Sequence, residues 1–214
     1  MWTVKCFVCN PLQENCYVVS DESGECIIID CGAFFIDEKE AIKTYIRNHH
    51  LKPVHLLATH GHLDHNFGNA MLYREYTLEV EACSEDSQLV GHLSEQASSL
   101  FGIQLEEEQP PVGRVLKQDD IVAFGTHSIK VLQTPGHTYG SAIFYCAEEH
   151  TAFTGDTLFR MSIGRTDFAE GNWTKMQQSL SNVVAKLPKD TLVLSGHGPQ
   201  STIADELLCN PYLR

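Results

Sequence analysis

The sequence predicts an α/β (α+β) protein in which two β-sheets pack face to face with helices on their outer sides. Three observations predict it. Short, apolar, β-branched runs dominate the first part of each half of the chain. Segments with helical spacing are interleaved with these runs and close the chain. Four apolar runs end in short loops that carry Gly beside His or Asp. Grouped strands with helices between and after them fit two packed sheets better than one parallel sheet.

Trp2–Val8, Cys16–Ser20 and Cys26–Asp30 are expected strands, with Asp21-Glu22-Ser23-Gly24 as the hairpin turn between the last two. Asp37 is placed to cap a helix over Glu38–His49, in which Ala41, Ile42, Tyr45 and Ile46 share a face. Pro53 ends that element, and Val54–Thr59 is a buried strand that stops at a histidine cluster. Asn66–Tyr76 is an expected helix, Leu78–Ala82 a strand and Ser84–Leu100 a helix. Gly102–Lys117, with its acidic run and Pro110-Pro111, is expected to be irregular. Ile121–Phe124, Ser128–Thr134, Ser141–Cys146 and Thr151–Thr154 are strands. Asn172–Leu187 is a helix with Trp173, Met176, Leu180, Val183, Val184 and Leu187 on one face. Thr191–Ser195 is a strand, and a short helix near Ile203–Leu208 follows.

The length of 214 residues is that of one domain, expected over 1–214. The formal net charge is -13, from 28 acidic and 15 basic residues. Nucleic acid and anionic membrane surfaces are disfavoured as partners, because both need dense Lys and Arg. No basic start with an apolar stretch and no spanning run is present, so cytoplasmic placement is expected. The eight cysteines then read as reduced thiols. Cys6-Phe7-Val8-Cys9 is formally a CxxC pair. It lies in an expected strand without a second CxxC, so it reads as strand residues rather than a zinc or redox site.

The histidines carry the chemistry. The four Gly-bearing loops are Thr59-His60-Gly61-His62-Leu63-Asp64-His65, Thr134-Pro135-Gly136-His137, Phe153-Thr154-Gly155-Asp156 and Ser195-Gly196-His197-Gly198. Strand ends hold side chains rigidly, and the adjoining Gly lets the backbone turn sharply. Together the loops supply His60, His62, His65, His137 and His197 with Asp64 and Asp156. Five imidazoles and two carboxylates are too many for one zinc site. They suit two ions, each with about three protein ligands and a shared oxygen ligand.

These four motifs, in this order, resemble the metallo-β-lactamase superfamily. Gly155-Asp156-Thr157-Leu158-Phe159, Ser162-Ile163-Gly164-Arg165-Thr166-Asp167 and the tail Gly196-His197-Gly198-Pro199 are similar to short members of its glyoxalase II (hydroxyacylglutathione hydrolase) branch. The resemblance implies a four-layer αββα sandwich. It implies that His60, His62 and His137 hold one metal, that Asp64, His65 and His197 hold a second, and that Asp156 bridges them. Full-length glyoxalase II continues into a helical domain that helps bind glutathione, whereas this chain runs only from Gly198 to Arg214 after the last motif histidine. Phe168 also stands where a glutathione-contacting Tyr is expected.

The expected function is therefore hydrolysis of a small-molecule thioester by a hydroxide held between two divalent ions. Zinc is the expected metal, and iron or manganese suits the same ligands. Asp64 would ligate one ion and orient the hydroxide, while Tyr139, Arg160 and Arg165 would rim the site. An internal pair with Asp167 is the competing role for Arg165. The rival reading is an iron persulfide dioxygenase, which shares a stretch like Gly164–Phe168 and would need only His60, His137 and Asp156. A lactone or other ester is the remaining alternative on the same site, and oligomeric state is left open.

Overall fold

A computed structural model describes residues 2–107 and 109–213, so Met1, Glu108 of the acidic run and Arg214 lie outside the described residues. Two six-stranded sheets carry the chain. The first is built from β1 (Thr3–Cys9), β2 (Glu14–Ser20), β3 (Glu25–Ile29), β4 (Lys52–Leu57), β5 (Val80–Cys83) and β6 (Val112–Leu116), in that order. Its helices are α1 (Ile36–Asn48), α2 (Asn69–Tyr76), α3 (Ser87–Gly91) and α4 (Leu93–Gln96). The second sheet holds β7 (Ile121–Phe124), β8 (His127–Gln133), β9 (Ala142–Cys146), β10 (Thr151–Gly155), β11 (Leu192–Ser195) and β12 (Ser201–Thr202), in the order β12-β11-β10-β9-β8-β7. It is covered by α5 (Trp173–Asn182) and α6 (Ile203–Cys209).

The period-two alternation of the strands decides the layers. In β2, Cys16 and Val18 face the helices, where Ile42, Ile46, Met71 and Leu72 meet them. Tyr17 and Val19, the residues between, face the second sheet and pack with Phe124, Phe144 and Phe153. On the far side, Ile143, Ala152 and Val193 meet Met176, Leu180 and Ile203 from α5 and α6. These three apolar interfaces separate four layers, and each large side chain buried in them contributes roughly 1.5–3 kcal/mol. The expected αββα sandwich is what the chain forms. No helix among the described residues is long and apolar enough to cross a membrane.

Four local expectations are corrected. The start of α1 is held by Glu38 rather than Asp37, because its carboxylate accepts from the backbone N–H groups of Phe34, Phe35 and Asn10. The expected helix over Ser84–Leu100 is instead α3, α4 and a π-helical turn over Ala97–Phe101, broken at Gly91-His92. Val112–Leu116, expected to be irregular, pairs in parallel with β5. As an edge strand with Arg114 and Val115 exposed, it lacks the continuous apolar run of a buried strand. The helix beginning at Trp173 is capped by the Asn172 side chain and ends at Asn182, before a separate 3-10 turn over Val184–Lys186.

Candidate metal centre

The four motif loops emerge at the same end of the two sheets. Thr59–His65 follows β4 and tightens into a 3-10 turn over Leu63–His65. His137 follows β8, Asp156 follows β10 and His197 follows β11. Gly155 takes φ 48°, a left-handed conformation, and a Cβ there would run into Thr59.

All seven motif residues converge. The ligand atoms of His60, His62 and His137 lie within 4.8 Å of one another, as do those of Asp64, His65 and His197. Asp156 stands between the sets. Its Oδ2 is 3.5 Å from His137 Nε2 and 3.8 Å from His197 Nε2, and its Oδ1 is 3.3 Å from His65 Nε2.

The outer nitrogen of each imidazole meets a hydrogen-bond acceptor, which fixes its tautomer. His65 Nδ1 donates to Asp30 Oδ2 at 2.9 Å, and His62 Nε2 donates to Glu170 Oε1 at 2.9 Å. His137 Nδ1 donates to the Arg165 carbonyl at 2.8 Å, and His197 Nδ1 to the Leu12 carbonyl at 3.1 Å. The Thr59 hydroxyl gives its proton to Asp30 and accepts from His60 Nδ1 at 3.1 Å. Five inner nitrogens are left with lone pairs aimed at a common space. His62 Nδ1 and His137 Nε2 are 2.9 Å apart, and His65 Nε2 and His197 Nε2 are 3.2 Å apart. Two lone pairs cannot bond each other, so each such contact needs a cation or a proton between them. His60 Nε2 and Asp156 Oδ1 are buried without a hydrogen-bond partner, which the same cations would satisfy. The donor set therefore fits two divalent ions with imidazole and carboxylate ligands.

The electrostatics agree. Burial, reinforced by His65 and His137, pushes the His60 imidazole well below its usual pKa and keeps it neutral. Burial opposes charge on Asp156, but His65, His137 and His197 overcome it and hold the carboxylate far below the usual range. Burial likewise opposes charge on His65, where Asp156, Asp64 and Asp30 prevail and raise its pKa well above the ordinary value. His197 is raised in the same way, chiefly by Asp64 and Asp156 against burial.

The sequence pattern missed the residues that support the ligands. Asp30, at the end of β3 with φ 52°, accepts from Thr59 N and Thr59 Oγ1 at 2.7 Å each, as well as from His65. Asp86 staples two loops together, accepting from Gly61 N, Thr138 Oγ1 and Gly140 N. Asn15 and Tyr17 of β2 bind the backbone of the His197 loop. Their only local signal is a polar residue beside an apolar strand.

A cavity of about 480 Å³ opens over the cluster, ordinary for a small-molecule site. Leu12, Phe101, Phe159, Ile163 and Phe168 wall it. Arg165 lines it, but its guanidinium makes a bidentate pair with Asp167 at 2.6 and 2.7 Å and lies over the Phe168 ring. The other two expected rim residues are not among those lining this cavity. Arg160 sits in the turn beyond Phe159, and the Tyr139 hydroxyl donates to the Ala169 carbonyl.

A family model described as the metallo-beta-lactamase superfamily matches residues 9–197. The chain is 34% identical to hydroxyacylglutathione hydrolase GloC of Haemophilus influenzae, over 94% of this chain and 93% of that protein. Among solved structures it is similar to the BLEG-1 B3 metallo-beta-lactamase, with a TM-score of 0.88 and 32% identity over 99% of both chains. It is also similar to TTHA1623 in a di-iron-bound form, with a TM-score of 0.85 and 33% identity, covering 98% of this chain and 100% of that one.

Proposed function

From the premise that the chain belongs to the metallo-beta-lactamase superfamily, we propose that it is a dinuclear metal-dependent hydrolase that cleaves thioesters of small molecules. The observation that carries this reading is the set of five inward imidazole lone pairs with Asp156 between them. His60, His62 and His137 would hold one ion, Asp64, His65 and His197 the other, and Asp156 would be shared. When bound, two divalent ions supply a water whose pKa falls to about 7 and a Lewis acid for a carbonyl oxygen.

The residues of the chain then have distinct roles. Asp64 Oδ2 lies 3.4 Å from His197 Nε2 and 3.8 Å from His65 Nε2, at the cavity floor, where it can orient the attacking water. Phe159 and Phe168 pack edge-on against His197 and His62 and keep bulk water from those ligands. Among the described residues lining the cavity outside the metal set, the polar ones are Gln96, Arg165 and Glu170. Gln96 and Glu170 bond the metal loop, and Arg165 is bound to Asp167. That leaves no free acid for a leaving group, which suits a thiolate, since a thiolate departs without protonation. The relative named hydroxyacylglutathione hydrolase supports the same bond class.

Zinc, iron and manganese all suit such ligands. A mononuclear iron dioxygenase would need only His60, His137 and Asp156. The support that Asp30 gives His65, and the Leu12 carbonyl gives His197, has no purpose there, which favours the dinuclear hydrolase. The eight cysteines are free thiols, in keeping with a reducing cytoplasm.

The test is a panel of substrates with metal-replete protein: S-lactoylglutathione, esters of shorter thiols, and lactones, with Asp64→Ala as control. Thioester turnover abolished in the variant supports the reading. No turnover of any thioester or ester overturns it.

A further inference from the structure

We propose that an apolar trough beside the metal centre, entered between Leu12 and Phe101, binds an apolar chain carried by the substrate, so that the preferred thioesters are medium-chain and uncharged rather than glutathione conjugates. The proposal rests on the hydrolase reading and names its substrate class.

A second cavity of about 240 Å³ adjoins the first and is lined by Pro11, Leu12, Phe34, Phe67, Phe101 and Ile103. None of these side chains carries a charge. Leu12 and Phe101 line both cavities, so the two meet at these side chains. The wall is an aromatic row, with ring centroids 4.8 Å apart for Phe34 and Phe67 and 5.8 Å apart for Phe67 and Phe101.

The trough is fastened to the metal loops on both sides. The Leu12 carbonyl accepts from His197 Nδ1, and Leu12 N donates to Asn10 Oδ1, while Asn10 Nδ2 donates to the Asp64 carbonyl at 2.8 Å. Phe101 closes the π-helical turn that follows Gln96. The Gln96 side chain accepts from Leu63 N and donates to the Gly61 carbonyl. Leu12 is 49% exposed and Phe101 38% exposed, so two large apolar side chains face water at the mouth of a reaction site. A chain lying between them would remove that surface from water.

Charge argues for the same ligand class. Glutathione presents two carboxylates. Outside the proposed metal ligands, the charged residues among the described lining are Glu170, bonded to His62 Nε2, and Arg165, already paired with Asp167, so no unpaired side-chain cation there awaits a carboxylate. An uncharged thioester needs none.

The experiment measures kcat/KM of the metal-replete protein on N-acetylcysteamine thioesters of acetate, butyrate, hexanoate and octanoate. Acetyl thioesters of alkyl thiols of matching lengths and S-lactoylglutathione are run beside them. A rise of up to about fourfold per methylene is expected along at least one series, the gain of burying a CH₂ group. Phe101→Ala should flatten the rise, and Ile103→Trp should cap it at a shorter chain. Independently of turnover, calorimetry on metal-free protein should show S-octyl-N-acetylcysteamine, a non-cleavable thioether, binding at least tenfold tighter than the S-methyl compound. Flat series, a rise unchanged in both variants, or S-lactoylglutathione preferred over octanoyl-N-acetylcysteamine overturn the proposal. So does a dimer, seen by sedimentation, that closes the trough and excludes the thioether. Cleavage of short thioesters with no gain from the chain sinks the apolar site and leaves the hydrolase standing. Chain-dependent thioether binding without cleavage of any thioester does the reverse.

Discussion

Asp30→Asn probes how the fold prepares the site without touching a proposed ligand. Asn tolerates the left-handed backbone at φ 52° and keeps the size of the side chain, so the change is confined to one oxygen. Asp30 Oδ2 serves the Thr59 hydroxyl and His65 Nδ1, while Oδ1 serves Thr59 N. An amide has one acceptor oxygen. If that oxygen stays with Thr59 N, the NH₂ group faces His65 Nδ1 and forces the other tautomer, with Nε2–H aimed into the metal space. If it stays with His65, the buried Thr59 N–H loses its partner, at roughly 1–3 kcal/mol. The first outcome carries the roughly 10–100-fold loss in metal affinity typical of an outer-shell partner, and the second appears as lost stability. Competitive titration against a chromophoric chelator reads the affinity directly. With the tautomer switched, the affinity for the ion assigned to Asp64, His65 and His197 should fall by about that factor, with circular dichroism unchanged. Two ions bound at wild-type affinity by Asp30→Asn, with its thermal stability also unchanged, would refute the role given to Asp30.

Other outcomes follow from the same geometry. Gly196→Ala places a Cβ 2.5 Å from Asp156 Oδ1 and 2.6 Å from His65 Cε1, so metal content after reconstitution should drop below two ions per chain; full occupancy contradicts it. Asp64→Ala removes a proposed ligand, and its turnover should fall by more than the roughly 10–100-fold that a supporting residue costs, measured as kcat at saturating metal. Glu170→Gln weakens the acceptor on His62 Nε2 and should lower affinity at the other ion by about tenfold in the same chelator titration. In the metal-free protein the pKa values of His65 and His197 lie above the ordinary value while that of His60 lies well below. Only neutral imidazole binds a metal, so loading near pH 7 should release protons, drawn from His65 and His197 rather than His60, and affinity should fall as pH falls. Calorimetry in buffers of different ionisation enthalpy counts them, and zero release contradicts the assignment.

The ligands were legible because they sit in contiguous motifs at strand ends, where His60-Gly61-His62 or Gly196-His197-Gly198 is visible within a few positions. Their supports were not, because their partners are distant in the chain. Asp30 meets His65 across 35 positions, and Glu170 meets His62 across 108. An isolated acid at a strand end looks like any turn residue. The layers followed from continuous apolar runs, which in β2 and β3 mark strands buried on both faces. The edge strand β6 escaped because Gly113 and the exposed Arg114 interrupt such a run. The π-helical turn at Ala97–Phe101 escaped because its residues suit an ordinary helix, and the tertiary hold on Gln96 is invisible locally. The rim was the least legible part: Arg165 turns to Asp167, while Leu12, far from the motifs in sequence, closes the wall.

Titrating zinc, iron or manganese into metal-free protein while following thioester hydrolysis and dissolved oxygen together tests the dinuclear hydrolase most directly. The rate should saturate at two equivalents per chain with no oxygen consumed. Saturation at one equivalent of iron, with oxygen uptake on a persulfide and no thioester cleavage, would contradict it.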